Sequence, residues 1–348
     1  MVMNKEFLKE LLKTHSPSGM ETEGVECFLN YLGGGDVDKI GNGIVKYGEG
    51  KHSLLLSGHI DEIGLRIQNI DEKGFIYFVK NGGADAKVLL GSTVTILNRR
   101  GKVKGIIGKA PIHVETAEER KTINFKKMKI DIGVSSKAEA QKLVEIGDIA
   151  IVDGDFIELN ENRFVSRGLD DKLGVFIVAE VIKRLQENEE NNFRPLKNLT
   201  IYASACTQEE TGGSGAVNLG KINPEFSIDY DVHFASDDNF VSANEYGNVV
   251  LGEGGAICHS VDCNHRLVNI IKDACDENGI PYQSFSKGSG GTNTIKIKNS
   301  AFNCETALLS IPLRNMHTQV EMADYRDLQC LIDMTLATIY KIDEMLND

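Results

Sequence analysis

The chain has 348 residues, of which 41% are hydrophobic and 26% are charged, which is ordinary for a globular protein. A formal net charge of −13, with no Lys/Arg-rich run containing aromatic residues, excludes nucleic acid as an expected partner. No apolar stretch approaches the roughly 18 residues that a membrane-spanning helix needs, so no membrane contact is expected. Seven cysteines without zinc-type CxxC pairs, and an N-terminus without a signal-peptide pattern, favour a cytoplasmic location.

The first elements are predicted to be two helices followed by two strands. Apolar residues at helical spacing predict a helix over residues 4–14. Ser18 and Glu21 match a capping box, which predicts the start of a second helix. Residues 43–47 and 53–57 are predicted strands, and the second, SLLLS, is apolar on both faces, as expected for a buried central strand.

Between about residues 66 and 158 the pattern changes to short β-like runs separated by turn signals. Runs such as IYFV, TVTIL, GIIG and AIVD alternate with turns, and one short helix is predicted near 137–145. This spacing predicts a small β-barrel inserted into a discontinuous α/β domain formed by residues 1–65 and 159–348.

The second half of the chain has an α/β pattern. Helices are predicted over 173–185 and 322–346, and another helix begins within 212–220. Strands are predicted over 199–205, 226–232 and 307–311. The expected fold class is therefore α/β, with a mixed sheet and an inserted small barrel.

Five short clusters contain the candidate functional residues, and each follows a predicted strand or opens a predicted helix. They are SGHIDEIG (57–64), SRGLDDKLG (166–174), TQEETGGSGA (207–216), DYDVHFASDD (229–238) and PLRNMHTQVEM (312–322). In open α/β sheets, ligands bind beyond the carboxyl ends of the strands, so these clusters are expected to converge there.

His59 ends the apolar strand, and Asp61 follows two residues later. A neutral imidazole suits zinc, cobalt or manganese, and a nearby carboxylate can fix its tautomer. Taken alone, a strand-end histidine bonded to a backbone carbonyl is the more common case.

Two carboxylate pairs come next. Asp170 and Asp171 precede a helix, and such neighbours repel each other unless a cation or a helix N-terminus offsets their charge. Glu209 and Glu210 directly follow a strand and point differently, so one can bind metal while the other transfers protons. A helix-start pair and a solvated acidic turn are the respective structural alternatives.

Asp231 ends a strand and His317 lies just past another. Each alone is more often structural than functional. Together with the preceding clusters they supply two histidines, several carboxylates and a spare glutamate, which matches a dinuclear hydrolase site for zinc-like metals.

These ordered clusters resemble the metallo-aminopeptidase family that contains glutamyl aminopeptidases, deblocking aminopeptidases and tetrahedral, dodecameric aminopeptidases. The resemblance covers nearly the whole chain, including GIIGKAPIHVE and EER in the insert. It implies a phosphorylase/hydrolase-like metallopeptidase domain that acts on peptides with a free N-terminus. It also implies that the barrel pairs subunits, giving a homo-oligomer that is a dodecamer built from dimers.

The resemblance implies two divalent metal ions per subunit, either zinc or cobalt, with manganese as the alternative. Asp170 would bridge them, and the remaining ligands would be His59 and Asp231 on one metal and Glu210 and His317 on the other. Glu209 would be the general base for a water between the metals, Asp61 would hold His59, and Asp171 would follow Asp170 through a cis peptide bond.

Some positions depart from the family pattern and leave the side-chain preference open. Thr292-Asn293 stands in place of Thr-Asp, Asn315 in place of an aromatic residue, and Thr318-Gln319 in place of Ser-Pro. Arg266 or Lys287 could attract an acidic side chain, although ordinary surface cations are more common.

Three other functions fit parts of the pattern. A related carboxypeptidase or amino-acid deacylase would need a cationic pocket for a substrate carboxylate. A glycosidase would use Glu209 and Asp231 as acid and base, which leaves both histidines without a role. A non-catalytic scaffold would leave Glu209 without a role.

Overall fold

The computed structural model describes residues 3–118, 123, 125–191 and 194–346. Residues 119 and 120 of the EER stretch lie outside these described residues. Within the described part of the chain, no helix is both long enough and apolar enough to cross a bilayer.

The strands of the described residues are, in chain order, β1 (Asp36–Val37), β2 (Gly43–Tyr47), β3 (His52–His59), β4 (Gly64–Ile70), β5 (Ile76–Asn81), β6 (Thr93–Asn98), β7 (Gly101–Ile107), β8 (Ile130–Asp131), β9 (Ile149–Val152), β10 (Ile157–Glu158), β11 (Arg163–Ser166), β12 (Leu199–Cys206), β13 (Phe226–Phe234), β14 (Ala256–His259), β15 (Gln283–Ser286), β16 (Glu305–Leu313) and β17 (Glu321–Asp324).

The helices are α1 (Lys5–Lys13), α2 (Thr22–Leu32), α3 (Ala86–Leu89), α4 (Lys137–Leu143), α5 (Leu169–Glu190), α6 (Ser214–Gly220), α7 (Ala243–Tyr246), α8 (His265–Asn278), α9 (Asn293–Ser300) and α10 (Tyr325–Met345). Short 3₁₀ turns occur at Ile112–Val114 and Phe125–Lys127.

A mixed eight-stranded sheet forms the centre of the larger part of the molecule, which confirms the predicted α/β class. Its strand order is β1-β2-β12-β3-β13-β16-β14-β15. The four neighbours β12, β3, β13 and β16 are mutually parallel. Parallel strands end on the same side of a sheet, so this arrangement brings the residues that follow these four strands to one edge.

The central strand β3 is covered by helices on both faces, as its uninterrupted apolar sequence predicts. Leu54 and Leu56 belong to the larger core, which also contains residues of α1, α2, α5, α8 and α10. Leu55 points the other way, because side chains alternate along a strand, and joins a smaller core with residues of α6 and α9.

Six strands between Gly64 and Val152 close into a barrel in the order β4-β5-β8-β7-β6-β9. The barrel has its own apolar core, which includes Leu65, Ile96 and Ile130. The next strand, β10, leaves the barrel and pairs with β11, which in turn pairs with β17. The domain boundaries at 65/66 and 158/159 stay a prediction.

The predicted capping box was wrong. Helix α2 begins at Thr22, and Glu21 precedes it without capping it through a side-chain hydrogen bond. The Ser18 hydroxyl instead contacts the Thr211 hydroxyl at 2.6 Å, and the Glu21 carboxylate accepts the Gly19 N–H at 2.6 Å. The tertiary contact to Thr211 takes the hydroxyl that a local cap would use.

Two predicted helix starts differ from the structure. The closing helix begins at Tyr325 rather than at Met322, because residues 321–324 form β17 and pair with β11. The helix predicted over 173–185 is part of α5, which begins at Leu169 and contains a kink at Asp170 and Asp171.

Candidate metal centre

The candidate residues meet at the carboxyl edge of the parallel strands. His59 is the last residue of β3, and Glu209 and Glu210 follow the end of β12 by three and four residues. Asp231 lies in the second half of β13, and His317 lies in the turn between β16 and β17.

Each carboxylate oxygen of Asp170 lies close to a different imidazole. Its Oδ1 is 3.1 Å from Nε2 of His59, and its Oδ2 is 3.2 Å from Nε2 of His317. The same nitrogen of His317 is 3.4 Å from Oε1 of Glu210. Ligand atoms of His59, Asp170 and Glu210 all lie within 4.8 Å of one another.

Asp231 and Glu209 interact electrostatically with His59 and Asp170. Asp231 is buried, and its Oδ1 accepts its neighbour's N–H at 2.8 Å. It lies two residues beyond Asp229, which pairs with Ser57, just as His59 lies two residues beyond Ser57. The Glu209 side chain is half-buried and makes no hydrogen bond to any other described residue.

Asp61 contacts both the turn after β12 and the imidazole of His59. Its carboxylate accepts the backbone N–H groups of Glu209 at 3.0 Å and Glu210 at 3.1 Å. The Nδ1–H of His59 donates to the backbone carbonyl of Asp61 at 2.9 Å, whereas the carboxylate of Asp61 is 3.5 Å away. The carbonyl is a pure acceptor, so it fixes the tautomer that leaves Nε2 facing Asp170.

The predicted cis peptide bond between Asp170 and Asp171 is present. The fully buried carboxylate of Asp171 accepts the N–H groups of His59 at 3.1 Å and Gly174 at 3.0 Å. It thereby connects the end of β3 to the first turns of α5.

Two buried glutamates at the site had no role in the sequence-based prediction. Glu321 accepts the N–H groups of His317 and Asp170, at 2.8 and 3.2 Å. Glu62 pairs with Arg167 and with Lys172, whose Nζ is 2.8 Å away. Both glutamates lie inside the five clusters of candidate residues. What separates them from ordinary surface glutamates is their burial beside Arg167 and Asp170, which are distant in the sequence.

Negative charge dominates the electrostatics of the site. Burial, reinforced by neighbouring carboxylates against the effect of His59, raises the pKa of Glu209 to about 7. Burial likewise raises the pKa of Glu210 and that of Asp231. The adjacent Asp170 and Glu210 raise the pKa of His317 to about 11.

The donor set fits divalent transition metals. Imidazole nitrogen and carboxylate oxygen are ligands that zinc, cobalt and manganese share. Burial first, and the neighbouring carboxylates second, raise the pKa values of Glu209, Glu210 and Asp231, and bound cations would favour their charged forms. The residues present, with His59, Asp170 and Glu210 grouped together, therefore fit a divalent metal ion.

A cavity opens beside these residues, between the sheet edge and the barrel. Asp170, Glu210 and His317 line one end of it. The remaining wall is mainly aliphatic and is formed by Ile63, Leu65, Ala84, Val88, Leu89 and Val152. Glu62 and Arg167 also border the cavity, but they are paired with each other.

Gln319, which stands where the family pattern has proline, joins the sheet edge to the barrel. Its side-chain amide donates to the carbonyl of Val88 at 3.0 Å and to the hydroxyl of Ser92 at 2.8 Å. These bonds hold the turn that carries His317 against the aliphatic wall of the cavity.

The fold and this donor set define the class of protein as a metal-dependent hydrolase. The family model of the M42 glutamyl aminopeptidases matches residues 41–334. The chain belongs to this family, which is one of metallopeptidases, and it is therefore an aminopeptidase, a hydrolase of peptide bonds.

Individual relatives match this chain over almost its full length. The lysyl aminopeptidase of Pyrococcus furiosus is 29% identical over 98% of both chains. The crystal structure of a TET aminopeptidase from a marine sediment Thaumarchaeota archaeon superposes with a TM-score of 0.90, at 28% identity over 96% of both chains. The Pyrococcus horikoshii TET1 peptidase, which can assemble into a tetrahedron or a large octahedral shell, gives 0.85 at 31% identity over 96% of this chain and 98% of its own.

Family membership decides against the carboxypeptidase, deacylase, glycosidase and scaffold alternatives.

Proposed function

We propose that this aminopeptidase binds two divalent metal ions, zinc, cobalt or manganese, at the carboxyl edge of its sheet. Asp170 would contact both ions, His59 and Asp231 would hold one, and Glu210 and His317 the other. The observation that supports this most directly is that the two oxygens of Asp170 face different imidazoles, at 3.1 and 3.2 Å. When bound, the ions would polarise the peptide carbonyl and make the attacking water more acidic.

Glu209 is the proposed general base. It lies beside the ligands, and its carboxylate is not held by a hydrogen bond to any described residue, so it can exchange protons. Its pKa of about 7, raised first by burial, suits a group that accepts a proton near neutral pH and then releases it. Glu209 would take a proton from the water and pass it to the leaving amine.

The cavity supports a preference for uncharged, aliphatic side chains next to the cleaved bond. Its wall is mainly aliphatic, and burial of an apolar side chain there contributes about 25 cal/mol per Å². Arg266, a candidate for attracting acidic substrates, forms an ion pair with Glu305. The exposed Asp85 lies at the cavity, and it is the residue that would favour a basic substrate instead.

Hydrolysis of dipeptides varied at the first and second positions tests these proposals. The panel includes N-acetylated versions, and each substrate is measured after chelation and again with zinc, cobalt or manganese restored. We expect metal-dependent cleavage of free-amine substrates only, fastest with leucine or methionine. Preferential cleavage of lysyl substrates that disappears in Asp85→Asn would contradict the aliphatic preference. Full activity after complete metal removal would contradict the metal site.

We also propose that the chain assembles into a dodecamer built from dimers, with the barrel at the dimer contact. The similar TET1 peptidase forms closed shells, and the barrel exposes large apolar residues such as Ile106 and Ile146. Light scattering at micromolar concentration should give a mass near twelve chains, and a monomer would refute the assembly.

A further inference from the structure

Glu321 connects the backbones of two proposed metal ligands that are far apart in the sequence. Its Oε1 accepts the N–H of His317 at 2.8 Å, and its Oε2 accepts the N–H of Asp170 at 3.2 Å. The side chain is only 2% exposed, so solvent does not compete effectively for these hydrogen bonds. One carboxylate therefore joins the turn after β16 to the start of α5.

Both connected residues have backbone conformations that regular secondary structure does not maintain. Asp170 has non-helical backbone angles inside α5, with ψ of 107°. His317 has a φ of 62°, in the left-handed region that residues other than glycine seldom adopt. Such conformations persist when surrounding contacts determine them, and the bond to Glu321 is a contact of this kind.

The imidazole of His317 has little freedom on its other side. The backbone of Gly83 lies so close that an added Cβ would be 2.6 Å from Cε1 of the ring. The ring is thus placed between the barrel and Asp170. A shift of the His317 backbone would therefore change the distance between its Nε2 and Asp170.

We propose that Glu321 is a positioning residue that sets the separation of Asp170 and His317 and thereby the metal affinity of the site. The inference rests on the proposed metal-dependent function, in which these two residues share a metal ion. Glu321 is not one of the proposed ligands, and each of its oxygens accepts one backbone N–H group. Groups that orient ligands typically change metal affinity by about 10–100-fold when they are altered.

Asp327 provides a matched control for a purely structural role. Its carboxylate is fully buried and accepts two backbone N–H groups, those of Gly252 and Gly254, both at 2.8 Å. It has the same chemistry as Glu321 but connects no proposed ligand. Loss of its charge should affect stability without affecting the metal site.

The test compares Glu321→Gln and Asp327→Asn with the wild-type protein by cobalt titration, followed through visible absorption and by competition with a chelator. In Glu321→Gln an NH₂ group replaces one acceptor and faces a backbone N–H. We expect cobalt affinity to fall by about 10–100-fold in Glu321→Gln, with much of kcat restored by excess cobalt. Asp327→Asn should lower thermal stability but retain wild-type cobalt affinity.

Unchanged cobalt affinity in Glu321→Gln would overturn the inference, as would an equal loss of affinity in Asp327→Asn. If Glu321→Gln fails to fold, Glu321→Asp takes its place, since it keeps both oxygens on a shorter arm; wild-type affinity in that variant would equally overturn the inference. Failure of the proposed function is distinguishable, because then the wild-type protein itself would bind no cobalt.

Discussion

Buried carboxylates that accept backbone N–H groups occur both at the carboxyl edge of the sheet and along helix α10. Asp61, Asp171 and Glu321 represent the first region, and Asp327 and Asp343 the second. The hydrogen bonds have similar lengths and the side chains are similarly buried. The two regions differ in the backbone that donates these hydrogen bonds. At the sheet edge it belongs to proposed ligands or their neighbours, and along α10 it belongs to connecting loops.

The two regions also differ in the charges around each carboxylate. At the edge, Glu209, Glu210 and Asp231 lie close to Asp170, and burial together with this crowding raises their pKa values. Asp343 instead holds the consecutive N–H groups of residues 197–199 at the start of β12. The same kind of hydrogen bond therefore fixes a loop in one region. In the other region it fixes backbone segments whose side chains bring several carboxylates close together. Such a collection of charge favours cations.

The largest loss of activity is expected from Glu209→Gln, a change at the sheet edge that removes the proposed base and leaves every proposed ligand in place. Turnover should fall by about 10²–10⁴-fold, the usual contribution of general acid–base catalysis. Metal content, measured by mass spectrometry, should equal that of the wild-type protein. Glu225→Gln, at the opposite end of β13, is the control and should retain full turnover. Unchanged kcat in Glu209→Gln would remove the residue from the mechanism.

A large loss of stability is expected from Glu62→Gln. The neighbouring Arg167 and Lys172 outweigh the effect of burial and lower the pKa of Glu62 to about 2. Removing its charge leaves two buried cations without their partner, which costs about 3–5 kcal/mol of unfolding free energy. Urea unfolding at pH 7 measures this loss. Lys46→Gln, which removes an exposed ion pair with Glu49, is the control and should leave the urea midpoint nearly unchanged.

A smaller effect on activity is expected from Asp61→Asn. The new NH₂ group would face the N–H of Glu209 or Glu210, so the turn that carries both residues would shift. We expect kcat/KM to fall by about 10–100-fold, as for other residues that orient a metal site. Steady-state kinetics at saturating metal measures the fall. Wild-type kcat/KM in this variant would show that the turn keeps its position without Asp61.

The smallest effect on activity is expected from Asp343→Asn, the corresponding change in helix α10. It weakens the hydrogen bonds to residues 197–199 and should lower the unfolding free energy by about 1–3 kcal/mol. The kcat/KM of the folded protein should not change, because this carboxylate lies at the end of β12 remote from the site. A loss of kcat/KM similar to that of Asp61→Asn would erase the difference between the two regions.

Much of the site could be predicted because strand ends are visible in the sequence. The prediction for β2, residues 43–47, matches the structure, and β3 and β13 extend the predicted strands by only a few residues. Parallel neighbours end at one edge, so the residues following them were expected to meet. Contacts of His59, Asp170, Glu210 and His317 agree with that expectation.

The sequence by itself determined the α/β class, the strands that carry the candidate residues and, through the ordered clusters, the family. Only the tertiary structure decided that Asp61 holds the backbone of Glu209 and Glu210, that Glu321 joins Asp170 to His317, and that Ser18 contacts Thr211 rather than capping α2. The physical reason is the separation of the interacting residues along the sequence. Apolar periodicity is a local property of a helix or strand, whereas these hydrogen bonds join residues 148 to 193 positions apart, which only the packed chain brings together.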